Sequence, residues 1–126
     1  MIVSTAAFLC LSLNVYHEAR GEPEAGQMAV AYVTLNRATY NKQSICDTVK
    51  AEGQFSWTAD HEMKEPKKNK EWDKAKDVAK QALAAHDTLA IPLMNALNYF
   101  HNTSVKPTWR LQRKFVTRIG NHLFYK

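Results

Sequence analysis

The sequence predicts an α+β domain in which helices dominate, and three observations carry that prediction. Apolar residues recur at helical spacing through the N-terminal two-thirds, and the C-terminal third breaks into short aromatic runs separated by Pro107 and Gly120. No internal repeat or low-complexity tract divides the 126 residues, so residues 1–126 are expected to form one domain around a single core.

Each element follows from local chemistry. Phe8, Leu11, Val15 and Glu18 fall at i, i+3, i+7 and i+10, one stripe of a first helix that ends in a carboxyl group. Gly21 breaks that helix, and Pro23 suits the first position of the next, with Glu24 favourable in its opening turn. The second helix shows Ala25, Met28, Ala29, Tyr32, Val33 and Asn36 on one face, with apolar residues on the others, and is expected to end near Arg37 or Ala38. Thr39 to Gln43 is polar and turn-like. Ser44-Ile45-Cys46-Asp47 has the form of a capping box and starts a short helix to about Ala51. Gly53 to Trp57 leaves helical periodicity, and Thr58 to Lys70 reads as a charged, solvated loop. Asn69 can cap an amphipathic helix with Trp72, Ala75, Ala79, Leu83 and His86 on its apolar side and Trp72 as a core anchor. Leu97 to His101 and Leu123 to Tyr125 suit short strands.

Composition narrows the class. Seventeen basic and twelve acidic side chains give a net charge of +5, which favours polyanionic partners in general: nucleic acid, anionic membrane or bacterial envelope polymers. With only Cys10 and Cys46, no disulfide framework is indicated; Cys10 reads as a small core residue, and Cys46 has no local group to activate it. The segment from Met1 to Val15 has no basic residue before its apolar run and no clear cleavage signal, and it is too short for a membrane span of roughly 20 residues. It reads as the first helix of the domain.

Glu18 is the first candidate for chemistry. Desolvation against Val15 and Ala19 and the partial negative charge of a helix C-terminus both disfavour its carboxylate, whereas Arg20 would favour it if folded back. A carboxyl group protonated near neutral pH is what general-acid catalysis requires. Spacing alone leaves open an exposed residue paired with Arg20 or His17. Metal catalysis is disfavoured, because His17-Glu18 and His61-Glu62 lack a second histidine at the required spacing, and no metal or cofactor is expected. Two basic clusters, Lys67, Lys68, Lys70, Lys74 and Lys76, and then Arg110, Arg113, Lys114 and Arg118, could contact phosphates, but no nucleic-acid module is recognisable.

Taken jointly, Tyr16-His17-Glu18-Ala19-Arg20-Gly21-Glu22-Pro23, Val30 to Arg37, Ile45-Cys46, Gln54-Phe55-Ser56-Trp57 and Ile119 to Phe124 resemble the spore-cortex-lytic, or germination-specific, cell-wall hydrolase family. The resemblance implies a lysozyme-like fold and cleavage of peptidoglycan between N-acetylmuramic acid and N-acetylglucosamine. Glu18 matches the family's catalytic acid; it would then act as base while the muramic acid C6 hydroxyl closes onto C1, giving a 1,6-anhydro end without a water nucleophile. A hydrolytic muramidase would need a second carboxylate, for which Glu22 is the obvious candidate, but a structural or electrostatic role at the start of the second helix is favoured for it. Gln54, Ser56 and Trp57 would orient and stack sugars, with Tyr99, His101, Asn102 and His122 lining the other wall or forming a buried aromatic segment. Asn36 and Arg37 match a family motif that a helix end also explains. The expected partner is the peptidoglycan glycan strand, with no specific nucleic acid and no membrane span, acted on by a monomer. The compact form resembles a bacteriophage endolysin, made in the bacterial cytoplasm and acting on the wall after release; a trimmed catalytic domain of a secreted enzyme would look similar.

Overall fold

The computed structural model describes residues 4–51 and 63–126. Among the described residues about half lie in four α-helices: α1 (Thr5–Ala19), α2 (Glu24–Asn41), α3 (Ile45–Lys50) and α4 (Lys70–Ala85). Three of them begin on side-chain caps that satisfy otherwise orphaned backbone donors. Ser4 accepts from the Ala7 N–H at 3.0 Å, Ser44 from Asp47 at 3.0 Å, and Asn69 from Trp72 at 2.7 Å.

Helix α1 is the hub, packed against α2, α3 and α4. Leu11, Leu13 and Val15 are inaccessible to solvent and meet Tyr32, Val49, Trp72 and Val78 in one apolar cluster. Both α1 and α2 are buried nearly all round, which explains why their apolar residues are not confined to one stripe. The two helices share a buried polar contact, in which Asn14 Nδ2 donates to Thr34 Oγ1 at 2.9 Å.

A three-stranded antiparallel sheet closes the domain, with strands β1 (Tyr99–Asn102), β2 (Phe115–Ile119) and β3 (His122–Tyr125) in the order β1-β3-β2. Strand alternation divides its side chains. Phe124 faces the helices, joining Ala19, Val30, Val33 and Leu97, with His122 and Phe100 on the same side. Tyr99, His101 and Tyr125 face away and are covered by Trp109 from the 3₁₀ turn Thr108–Gln112. Asn36 braces helix to sheet: its amide donates to the Met94 and Leu97 carbonyls at 3.0 and 2.6 Å, and its oxygen lies 2.7 Å from His86 Nε2.

Four expectations need correction. Cys10 and Cys46 form a disulfide, because α1 and α3 pack side by side and bring the two Cα atoms to 5.3 Å; a sequence separation of 36 gave no hint of that approach. Helix α2 runs a further turn, to Asn41, because Thr39 and Tyr40 carry no helix breaker; it stops where Lys42 adopts φ 55° and donates to the Ala38 and Thr39 carbonyls. Pro23 precedes α2 as its cap residue, its carbonyl accepting the Gln27 N–H at 3.0 Å. Strand β2 had been hidden inside the second basic cluster, where Arg110 bonds the Lys106 and Pro107 carbonyls and Arg118 bonds Gly120. The Gln54, Ser56 and Trp57 segment lies outside the described residues.

Candidate active site

The first helix ends as its sequence demands. Arg20 leaves helical geometry, Gly21 takes φ +82°, and the Glu22 N–H closes a turn on the Ala19 carbonyl at 3.0 Å. A Cβ on Gly21 would meet nothing within 4 Å, so glycine is required there for its backbone conformation and not for space. This turn separates two carboxylates into different environments.

Glu18, on the last turn of α1, is largely buried, and burial alone raises its pKa from 4.5 to about 7. Arg20 does not oppose the shift, because its guanidinium lies 4.8 Å from the centroid of the Tyr16 ring. Tyr16 is itself fixed, edge-on to Trp72 and accepting from Asn69 Nδ2 at 3.2 Å. No hydrogen bond or ion pair engages the Glu18 carboxyl group among the described residues. Such a group holds its proton to near neutrality and remains available to donate it.

Glu22 is tied down. Its Oε1 accepts from the Asn121 backbone N–H at 2.8 Å, and its Oε2 lies 3.3 Å from Asn121 Nδ2. His122 Nδ1 is 3.4 Å from Oε1; burial lowers the His122 pKa, Glu22 opposes that and His101 reinforces it. The β2–β3 turn is built for this approach. Gly120 has φ +56°, and a Cβ there would stand 2.9 Å from both Glu22 Oε1 and Pro23 Cδ. Gly120 and Asn121 form a two-residue hairpin between the paired residues Ile119 and His122. Sequence reasoning missed Asn121, although Gly-Asn between two β-rich runs is a hairpin signal.

The other expected site residues divide. His122 joins Glu22. Tyr99 and His101 lie on the opposite face of the sheet, where His101 bonds the Asn102 carbonyl at 2.8 Å and the Tyr125 hydroxyl at 2.9 Å. His101 is buried in that layer, whereas Tyr99 is half-buried beside Trp109. Asn102, exposed at the strand end, accepts from the Ser104 N–H at 2.9 Å and organises its own turn. Among the described residues no group of three His, Cys, Asp or Glu side chains could hold a metal ion, and no helix is long and apolar enough to cross a membrane.

Residues 21–125 match the family model described as Cell Wall Hydrolase. The chain belongs to the cell wall hydrolase family. It is 38% identical over 117 residues to the spore cortex-lytic enzyme of Oceanobacillus iheyensis, covering 89% of this chain and 38% of the relative. The spore cortex-lytic enzyme of Bacillus subtilis is 32% identical over 117 residues, covering 90% of this chain and 35% of its own length. The chain thus spans less than half the length of these curated relatives. In three dimensions it is similar to the catalytic domain of the germination-specific lytic transglycosylase SleB from Bacillus anthracis, with a TM-score of 0.80 and 29% identity over 98% of this chain and 97% of that one. The Bacillus cereus SleB catalytic domain gives a TM-score of 0.74 at 27% identity, covering all of this chain and 94% of that domain. The helix-rich, lysozyme-like expectation is therefore met. Glu18 lies three residues before the matched span of the family model, but within a helix that is the hub of the shared fold.

Proposed function

We propose that this cell wall hydrolase domain is a peptidoglycan lytic transglycosylase that uses Glu18 as its single acid and base. The observation that carries the proposal is a carboxyl group whose burial lifts its pKa to about 7, in a fold closely similar to a lytic transglycosylase catalytic domain. Protonated Glu18 gives its proton to the oxygen joining N-acetylmuramic acid C1 to N-acetylglucosamine, and the C1–O bond breaks. The resulting carboxylate takes the proton of the muramic acid C6 hydroxyl as that oxygen bonds to C1. One carboxyl group is thereby restored to its starting state, and a 1,6-anhydro end is left. Glu22 acts as a positioning residue: with Asn121 donating to both of its oxygens, it anchors the turn after Glu18 to the sheet. Gln54, Ser56 and Trp57 are proposed to contact the sugars, with the glycan strand as substrate and the cell wall as the site of action.

Mass spectrometry of digested peptidoglycan tests the reaction. Anhydro-muramic ends are expected. Reducing muramic ends would instead make the enzyme a hydrolytic muramidase with a second carboxylate, and released peptides alone would overturn both. Glu18→Gln is expected to fold while losing nearly all cleavage; retained activity would transfer the acid role elsewhere.

A further inference from the structure

At the far end of α2 lies a cleft of about 480 Å³, lined by Arg37, Tyr40, Asn98, Tyr99 and Arg113. Arg37 is 13 residues beyond Glu24 (37 minus 24), or roughly 20 Å along the helix from the turn that carries Glu22. The two sites are therefore separate.

Among the described residues no carboxylate side chain faces the charge of this cleft. Arg37 and Arg113 approach the same Tyr99 ring, their Cζ atoms 4.8 and 4.2 Å from its centroid. No Asp or Glu side chain pairs with either guanidinium, and neither donates a side-chain hydrogen bond among the described residues. Each guanidinium offers five N–H donors in a fork that matches a carboxylate or phosphate. Burial lowers the Arg37 pKa from its usual value; Tyr99 opposes this and Arg113 adds to it. Two like charges are thus held together, one of them half-buried, in a cleft that Asn41, Asn98 and Lys126 also line. At the rim, Tyr40 is 85% exposed, an unusual position for a large aromatic ring and one that offers a flat face to a sugar.

We infer that this cleft is a second saccharide-binding site, taking an anionic sugar unit whose oxyanion bridges Arg37 and Arg113 while its ring stacks on Tyr40. An oxyanion supplies the missing acceptor for both forks and offsets their mutual repulsion. The Asn41 and Asn98 carboxamides provide the mixed donors and acceptors that sugar hydroxyls need. That the natural source is a cell-wall polymer rests on the proposed function; the binding chemistry does not. Wall polymers carry such oxyanions as carboxylates on the glycan or as phosphodiesters attached to it. Occupation of this cleft would hold the enzyme on its substrate independently of the Glu18 site.

Amide NMR titrations of the whole chain at constant ionic strength test the site without turnover. The probes are N-acetylmuramic acid for the carboxylate source, glycerol phosphate for the phosphate source, and N-acetylglucosamine as the uncharged control. Saturable shifts of the Asn41, Asn98 and Tyr99 amides are expected with at least one charged probe, and the tighter of the two identifies the source. Arg113→Gln should weaken binding about tenfold, the loss of one charge-assisted contact. Tyr40→Ala should weaken the sugar acid more than glycerol phosphate. Since removing one of two adjacent cations relieves repulsion, Arg113→Gln should retain the fold and the melting temperature of the unliganded protein, which separates lost binding from lost structure. Equal binding of the uncharged sugar, shifts no larger than chloride produces, or unchanged affinity in Arg113→Gln would overturn the inference. A protein that binds these probes but cleaves no peptidoglycan would fail the proposed function and leave this site standing; the reverse result would do the opposite.

Discussion

Glu18 and Glu22 are four residues apart, yet they are held in different environments: one is largely buried without a hydrogen bond among the described residues, the other is bonded to Asn121. For Glu18 the cost is thermodynamic and its sign is definite. A carboxyl group raised from 4.5 to about 7 is protonated in both states below about pH 4.5, but above that the unfolded chain releases its proton first. Native stability contributed at this position therefore falls as pH rises from about 4.5 to about 7 and stays lower above. Glu18→Gln removes the penalty, so denaturant unfolding should show a gain on the order of 2–3 kcal/mol at about pH 8 and none at about pH 4. Cleavage by the parent enzyme should correspondingly decline as pH passes about 7, where the acid form is lost; a rate still rising beyond that point would remove Glu18 from the role of acid. Gly120 makes a different kind of contribution. With φ +56° and two atoms 2.9 Å from a would-be Cβ, Gly120→Ala should cost about 1–3 kcal/mol and displace Glu22, read as a lowered melting temperature.

Among the elements, α1, α2 and α4 were legible from apolar spacing, and the starts of α3 and α4 from their caps, because both signals are local properties. Ser44 and Asn69 cap the helices they were expected to cap, and Trp72 is buried as an anchor. Strand β2 was not legible: five residues offer little periodicity, and the basic residues around Phe115 drew attention to charge. Its identity depends on pairing with β3, where Ile119 meets His122 across the Gly120-Asn121 turn. The disulfide was hidden for a similar reason, since Cys10 and Cys46 meet only when α1 and α3 are packed. A cross-link between residues 36 apart restricts the unfolded chain, and its reduction should lower stability by roughly 3–4 kcal/mol on the chain-entropy model, measurable as a shift of the denaturant midpoint with and without reductant. Asn36 belongs at this scale too. Its carboxamide joins α2 to the segment before β1 and to His86, so Asn36→Ala should cost about 1–3 kcal/mol by taking their partner from the Leu97 carbonyl and the His86 imidazole, while the Met94 carbonyl still accepts from the Leu97 N–H.

For the molecule as a whole, the net charge of +5 is a property of encounter and not of fold. Lysis of intact anionic walls should slow with added salt through a weaker encounter rate, while the fold stays intact by circular dichroism; equal rates at low and high salt would count against electrostatic attraction. By itself the sequence determined the helix-rich class, the apolar stripe ending in Glu18, the forced turn at Gly21 and the motif set that resembles the cell wall hydrolases. Those depend on propensity, periodicity and residue identity, which are written locally along the chain. Only the tertiary structure decided that Arg20 stacks on Tyr16 and leaves Glu18 protonated to about pH 7, that Glu22 is clasped by Asn121, that Tyr99 turns away from His122, and that Arg37 and Arg113 converge. Each is set by desolvation or by contact between residues distant in sequence, and neither exists until the helices and the sheet have packed.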